Sequence, residues 1–278
     1  MKTFATVAEL IDSAEYKAHQ AFTCLMPFDE YRKAPGFSQS AVNDFLRSPA
    51  YYKAKQESPK PPTQAMILGS YFDAMLTKDG IKGFQVNQFD GRTKEGKAQK
   101  AEAESKGVRL VSVDDHNDVE RWRDSLSMNA SANWWIKNAQ PQVCGFAWVN
   151  DIPVKGRADL FAPDVPACAD LKLLADASPE WFAKNIQNFD IQAAMYQSIF
   201  GRAVGMADIT NLDFYFICQE KHDFPANPHF TGVYEIDKTD ILKAHAVLGQ
   251  ALIEMNRAEK EQVFAGYGER TISARWSR

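Results

Sequence analysis

Apolar positions along the chain follow two regimes. Up to about residue 140 they recur at helical spacing. Thr6 to Gln20 predicts a short helix, with Thr6 and Glu9 spaced as a capping box. Pro27 ends that pattern. Ser38 is a good N-cap for a helix that places Val42, Phe45 and Leu46 on one face. Pro49 ends that helix or opens the next one. The run 58–63 carries three prolines and reads as a loop. Gln64 to Thr77 predicts a largely buried helix that ends near Gly80. Asp114 to about Ala139 predicts another, with Val119, Trp122, Leu126 and Trp134/Trp135 as apolar positions.

The period then shortens. Gln142–Val149, Pro153–Phe161 and Cys168–Leu173 have strand character, with turns at Asn150-Asp151 and Pro163-Asp164. Ser178-Pro179-Glu180 combines a Ser cap, Pro at the first helical position and an acid in the first turn. The helix it opens should run to about Gly201. Leu212–Gln219 and Thr231–Glu235 read as two more strands, and Asp237 caps a last helix to about Phe264. The order is helices, three strands, a helix, two strands, a helix. It predicts one mixed α/β domain with a helical N-terminal elaboration.

Composition narrows the class. The 278 residues are 45% hydrophobic and 24% charged, which excludes a collagen-like, coiled-coil or disordered chain. No apolar run approaches the ~18–20 residues of a membrane span. The first twenty residues lack an apolar stretch and carry Glu9, Asp12 and Glu15, unlike a signal peptide. The four cysteines form no CxxC pair, so a zinc or iron–sulfur framework is unsupported, and a reduced, cytoplasmic protein is expected. The formal charge of −4 argues against a general nucleic-acid coat but leaves room for a local basic groove. Residues 91–109 are locally positive, with six basic residues against three acidic ones.

The candidate chemistry lies in the strand-rich half. Asp170 and Lys172 are two apart on a predicted strand, so both share a face while Leu171 turns into the core. Asp159 lies near the end of the preceding strand, and a hairpin would set it beside Asp170. Two carboxylates and an ammonium would converge on a small site suited to Mg²⁺, with Mn²⁺ as substitute. The lysine could orient a water or, with a depressed pKa, accept its proton. Gln192 and Tyr196 are four apart on one helical face and could hold the lysine, a water or a DNA phosphate. Each of these residues alone fits a surface or turn position; their joint order favours a site. Alternation would also point Lys155 and Arg157 to Asp159's face, where phosphate contact and local salt bridges compete. Arg92, Lys94 and Lys97 read either as a solvated loop or as phosphate contacts. Trp134, Trp135 and Trp148 suit packing better than base stacking, and the five histidines, His229 among them, show no ligand spacing.

The ordered set Gly-x-x-Asp (156–159), Asp-x-Lys (170–172), Gln-x-x-x-Tyr (192–196) resembles the RecB-type branch of the PD-(D/E)XK nuclease superfamily. It resembles more closely the RecE-type (exonuclease VIII) nuclease domains and their phage-encoded relatives. The stretches Pro27-Phe-Asp-Glu-Tyr31, Pro35-Gly-Phe-Ser-Gln-Ser40, Arg47-Ser-Pro-Ala-Tyr51, Leu68-Gly-Ser70 and Arg92-Thr-Lys-Glu-Gly-Lys97 extend that resemblance over roughly residues 27–275. The resemblance implies a central mixed β-sheet flanked by helices, in a single nuclease domain over 27–278 preceded by a leader or arm over 1–26. It implies Asp159, Asp170 and the Leu171 carbonyl as metal ligands, Lys172 as catalytic lysine, and Gln192 and Tyr196 as supporting residues. At Asp73 the family usually has a histidine; an aspartate there could still serve a hard cation.

The activity implied is Mg²⁺-dependent 5′→3′ digestion of linear duplex DNA to leave 3′ single strands for recombination. A tetrameric ring and a single-strand annealing partner are implied with it. Two other readings stay open: a structure-specific, single-strand or endonucleolytic enzyme on the same site, and a DNA-end-binding protein with impaired catalysis, suggested by Asp73.

Overall fold

The computed structural model describes residues 1–78, 81–222 and 230–268. The N-terminal part contains β1 (Lys2–Thr3), α1 (Val7–Asp12), α2 (Ala14–Lys17), β2 (Phe22–Leu25), α3 (Phe28–Lys33), β3 (Phe37–Ser38), α4 (Gln39–Arg47), α5 (Pro49–Glu57) and α6 (Gln64–Thr77). An excursion follows: β4 (Phe84–Asn87), α7 (Lys94–Ser105) and β5 (Arg109–Ser112). Then come α8 (Val113–Met128), α9 (Ala130–Asn138), β6 (Gln140–Val149), β7 (Ile152–Ala162) and β8 (Ala167–Leu174). The chain continues through α10 (Pro179–Lys184), α11 (Asp190–Tyr196), β9 (Asp213–Glu220), β10 (Thr231–Tyr234) and α12 (Lys238–Glu261). The expected helix end near Gly80, and His229, lie outside the described residues.

Among the described residues the main sheet runs β1-β2-β6-β7-β8-β9-β10, with β3 also on β7. The hairpins β6–β7 and β7–β8 are antiparallel, and β8 and β9 are parallel, joined through α10 and α11. One face of the sheet packs on α4, α5, α10, α11 and α12 through Phe45, Tyr52, Phe182, Met195 and Leu252. The other packs on α6, α8 and α9 through Phe72, Trp122, Leu126 and Trp135. This is the mixed α/β fold that the pattern predicts, with the central sheet flanked by helices that the resemblance implies.

Residues 1–26, set apart in the sequence reading as a leader or arm, are seated in this sheet. β2 pairs antiparallel with β6, and Phe4, Leu10, Phe22 and Cys24 close a third core cluster against Cys144 and Phe146.

Capping chemistry places most helix starts. Ser38, Ser48, Thr63, Ser112, Ser178 and Asp237 all accept a backbone N–H in the first turn of the helix that follows. Three helices that periodicity alone would join are broken, two of them by the same chemistry. Ser13 caps α2 through Tyr16 N and so splits the segment from Thr6 to Gln20. Asn129 accepts from Ala132 N and donates to the Thr231 carbonyl, separating α8 from α9. The helix opened by Ser178 stops at Lys184; a short 3₁₀ turn over Ile186–Asn188 precedes α11.

Two further differences matter. Leu46 is 44% exposed, so the α4 core face is Val42 and Phe45. The basic stretch 91–109, where a solvated loop is one of two readings for Arg92, Lys94 and Lys97, contains α7, and its flanking strands β4 and β5 form a separate parallel pair.

Candidate active site

The site forms where β7 leaves β8. These strands pair only through Leu160↔Ala169, Phe161↔Cys168 and Ala162↔Ala167. The next step of that register sets Asp159 against Asp170, and beyond it β7 turns away towards β3. The inward phase of β7 slips at the same point. Ile152, Val154 and Ala158 belong to the first core cluster, but Leu160 and Ala162 belong to the second. Opposite Asp159 on β6, Gln142 has φ +56°. A side chain in this left-handed region is strained by about 1–2 kcal/mol.

Three elements supply the side chains. Asp159 is held at both oxygens: Oδ2 accepts from Leu171 N at 2.9 Å, and Oδ1 accepts from Gln142 Nε2 at 3.2 Å. Asp170 is buried; its Oδ2 lies 2.5 Å from Lys172 Nζ, and its Oδ1 accepts from Gln192 Nε2. Lys172 Nζ also donates to Gln192 Oε1 at 3.0 Å. One buried amide therefore ties carboxylate and ammonium together, as the sequence reading allowed for Gln192. Leu171 is 6% exposed and packs in the second core, as period two requires.

Tyr196 is also buried, but its hydroxyl donates to the Arg157 carbonyl at 2.7 Å and steadies β7. Glycine makes that approach feasible. A Cβ on Gly156 would lie 3.1 Å from Ile199 and 3.5 Å from the Tyr196 ring, and one on its cross-strand partner Gly145 would lie 2.5 Å from Ile199. The helix widens into a π turn over Gln197–Gly201 at this seat.

Asp73 comes from α6 on the other side of the sheet, where Ser70, Asp73 and Ala74 share the face that lines the cleft. Burial, then the Asp159 and Asp170 charges, push its carboxyl well above the ordinary range. Burial and the Asp170 charge likewise push Asp159 up to about 7. Burial on its own would lower the Lys172 pKa, but the Asp170, Asp159 and Asp73 charges more than reverse it. Of the two roles the sequence leaves open to Lys172, this direction favours orienting a water over accepting its proton.

Three carboxylates face two cationic groups, the Lys172 ammonium and the Arg157 guanidinium, so the charges leave room for a further cation. All the donors are hard oxygens. Among the described residues no three His, Cys, Asp or Glu side chains form a complete metal cage. Mg²⁺ does not need one: it binds through one or two carboxylates and completes its shell with water and substrate phosphate. The residues present fit that ion. Asp159 and Asp170, the Leu171 carbonyl and Asp73 are the groups that could hold it.

Asp73 and Asp159, the latter bonded to Leu171 N between Asp170 and Lys172, line a cleft of about 590 Å³. Pro27, Phe28, Asp29 and Tyr31 form one wall, and Gly83, Phe84, Gly107 and Arg109 the other. Arg157 lines the cleft beside Asp159, as expected. Lys155 does not. It is 8% exposed and donates to the carbonyls of Tyr31, Arg32 and Ala34. The path of β7 explains the difference, because at Lys155 the strand has turned to pair with β3, next to the end of α3. Arg92, 92% exposed in its side chain, pairs with Asp90; Lys94 and Lys97 lie exposed on α7, whose flanking strands end on the cleft wall. Trp135 is buried, Trp134 packs edge-on against it, and Trp148 packs on Tyr16 and His19.

Two expected outcomes follow from these positions. Lys155→Met should lower stability by about 2–4 kcal/mol, because it strands buried carbonyls; DNA affinity and its salt slope should not change, as read by melting and by binding titrations. Gln142→Gly should leave stability within about 1 kcal/mol, since released strain offsets the lost hydrogen bond and added chain entropy. Turnover should still fall about tenfold, because Asp159 loses one of its two orienting donors.

Sequence reasoning missed Gln142, Phe28 and Arg109. Nothing in the local pattern marks them, since each reaches the site through register or through a loop end. The Pro27–Tyr31 stretch was the one available signal for Phe28.

A carboxylate at the end of one strand, an Asp-x-Lys on the next and a supporting Gln from the following helix define the PD-(D/E)XK superfamily, and the fold is the one that superfamily uses. Within it, residues 38–274 match the family described as PDDEXK-like domain of unknown function (DUF3799), and the chain belongs to that family. The fold is also similar to the crystal structure of a candidate exonuclease from Eubacterium rectale. The TM-score is 0.58 at 17% identity, over 87% of this chain and 91% of that one. No curated protein matches the sequence.

Proposed function

We propose that this protein is a metal-dependent deoxyribonuclease that digests linear double-stranded DNA from its ends, 5′→3′, in the manner of RecE-type enzymes. The observation that carries the hydrolytic reading is the part-buried Asp159–Asp170–Lys172 constellation, bridged by Gln192, with Asp159 lining a cleft. Its residues have separable tasks. Asp159 and Asp170, with the Leu171 carbonyl and Asp73, hold the cation. A bound Mg²⁺, or Mn²⁺ in its place, supplies Lewis-acid stabilisation of the charge that develops on the phosphodiester. Gln192 fixes the Asp170 carboxylate and the Lys172 ammonium in one geometry. Lys172 orients the attacking water and offers a positive charge to the phosphate. Arg157, and Arg109 on the facing wall, supply phosphate contacts that carry no sequence information.

Asp73 lies among the other carboxylates, which favours a ligand role and weighs against a decayed site. The single catalytic domain over 27–278, the tetrameric ring, the annealing partner and the place in cytoplasmic, phage-type recombination belong to this proposal through the RecE resemblance. Arg92, Lys94 and Lys97 would track DNA outside the cleft.

The test uses a linear duplex labelled on a phosphorylated 5′ end, beside a closed circular duplex, both with Mg²⁺. Labelled mononucleotide should appear from the linear DNA alone. Cleavage of the circle would replace the exonuclease with an endonuclease on the same site. No cleavage of either substrate in Mg²⁺ or Mn²⁺ would overturn the hydrolytic reading.

A further inference from the structure

Phe28 is 45% exposed at the lip of the cleft, at the start of α3. A single exposed phenylalanine is ordinary on a protein surface. This one differs in its surroundings. The Arg157 guanidinium lies 5.1 Å from its ring centroid, and that of Arg32 lies 6.0 Å away. Tyr31, buried beside it, stacks at 6.5 Å and fixes the ring's inner side. Arg157 lines the same cleft as Asp73 and Asp159. One arginine thus connects the aromatic ring at the lip with the carboxylates of the cleft. The cleft volume suits a ligand of small-molecule size. The exposed rings of Phe89, Trp134 and Tyr267 have no such neighbours on the cleft.

We propose that Phe28 and Arg157 form a seat for one nucleotide, in which Phe28 stacks on an unpaired base and Arg157 takes the adjoining phosphate. The seat rests on the nuclease reading and deepens it. It makes the strand delivered to Asp159, Asp170 and Lys172 locally single-stranded, and it makes Phe28 a positioning residue that grips any base by its π face.

The test measures the affinity of the full chain for an end-labelled single-stranded oligonucleotide by fluorescence anisotropy, with Ca²⁺ in place of Mg²⁺. An abasic residue is moved along the oligonucleotide one position at a time. Wild type should bind about tenfold more weakly when the abasic residue falls at one particular position. Phe28→Leu, which keeps bulk but removes the aromatic face, should bind the intact strand about tenfold more weakly and lose sensitivity to that position. Phe28→Trp should restore both. If Phe28→Leu and Phe28→Ala bind like wild type, or keep the same abasic sensitivity, the seat is overturned and the nuclease reading stands. If wild type binds no oligonucleotide, the seat is likewise overturned, and the nuclease reading is decided separately by cleavage of the linear duplex.

Discussion

Lys172→Ala is expected to lower the rate of phosphodiester hydrolysis by about 10³-fold or more, with DNA-end binding kept within a few-fold. Nζ lies between Asp170 Oδ2 at 2.5 Å and Gln192 Oε1 at 3.0 Å, and its side chain is 25% exposed. It is therefore close enough to the carboxylates to act on the reacting group and open enough to meet a phosphate. A positioned charge or proton-transfer group of this kind is worth about 10²–10⁴ in rate. Binding should survive because phosphate contacts away from the reacting centre set most of the affinity. The fold should survive as well, since the core beneath the site is built by Leu171, Phe216 and their neighbours. Lys172→Arg should not rescue turnover: a planar guanidinium cannot occupy the compact seat between a carboxylate and an amide oxygen. Single-turnover kinetics on the end-labelled duplex give the rate, and a loss of less than tenfold would remove Lys172 from the chemistry.

Asp170→Ala is expected to abolish saturable Mn²⁺ binding, a loss of at least about 100-fold in affinity. Changes to groups that only support a metal's ligands cost about 10–100-fold, and Asp170 is more central than those. It is the buried carboxylate tied to both Lys172 and Gln192, and its charge raises the pKa of Asp159 and Asp73. Removing it takes away a donor and part of the negative field that draws a cation. Asp73→Ala should cost less, about tenfold, because Asp159 and Asp170 still converge without it. Free Mn²⁺, followed by electron paramagnetic resonance during titration, measures both variants without relying on turnover. If Asp170→Ala binds Mn²⁺ as wild type does, the cation is held elsewhere and the assigned ligands are wrong.

Much of the strand-rich half was legible in advance. β6, β7, β8 and β9 were marked by their alternation, with ends close to those observed. Asp170 and Lys172 share a face because the strand period is two, and Gln192 meets them because the crossover after β8 returns α11 over the sheet. The short strands β1 to β5 were not legible. Two to four residues carry too little pattern to show a period, and they become strands only because a neighbour's edge is available. The joined helices failed for a local reason. Ser13 and Asn129 satisfy the next helix's N–H groups with their own side chains, which competes with continuing the helix.

By itself the sequence determined the longer strands and most helix starts with their caps, the chemistry on offer at Asp159, Asp170 and Lys172, and the glycine at 156 that lets a helix ride close to the strand. These are local properties, set by spacing, side-chain geometry and hydrogen-bonding capacity within a few residues. Tertiary structure alone decided which groups share the cleft. It brought Asp73 from α6, Gln142 from β6 and Phe28 from α3 to the point where β7 departs from β8. It also withdrew Lys155 to the carbonyls of α3 while leaving Arg157 in the cleft. Those outcomes depend on strand register, on a one-residue phase slip and on the path of β7 away from β8, and no local pattern encodes where a separate segment meets them.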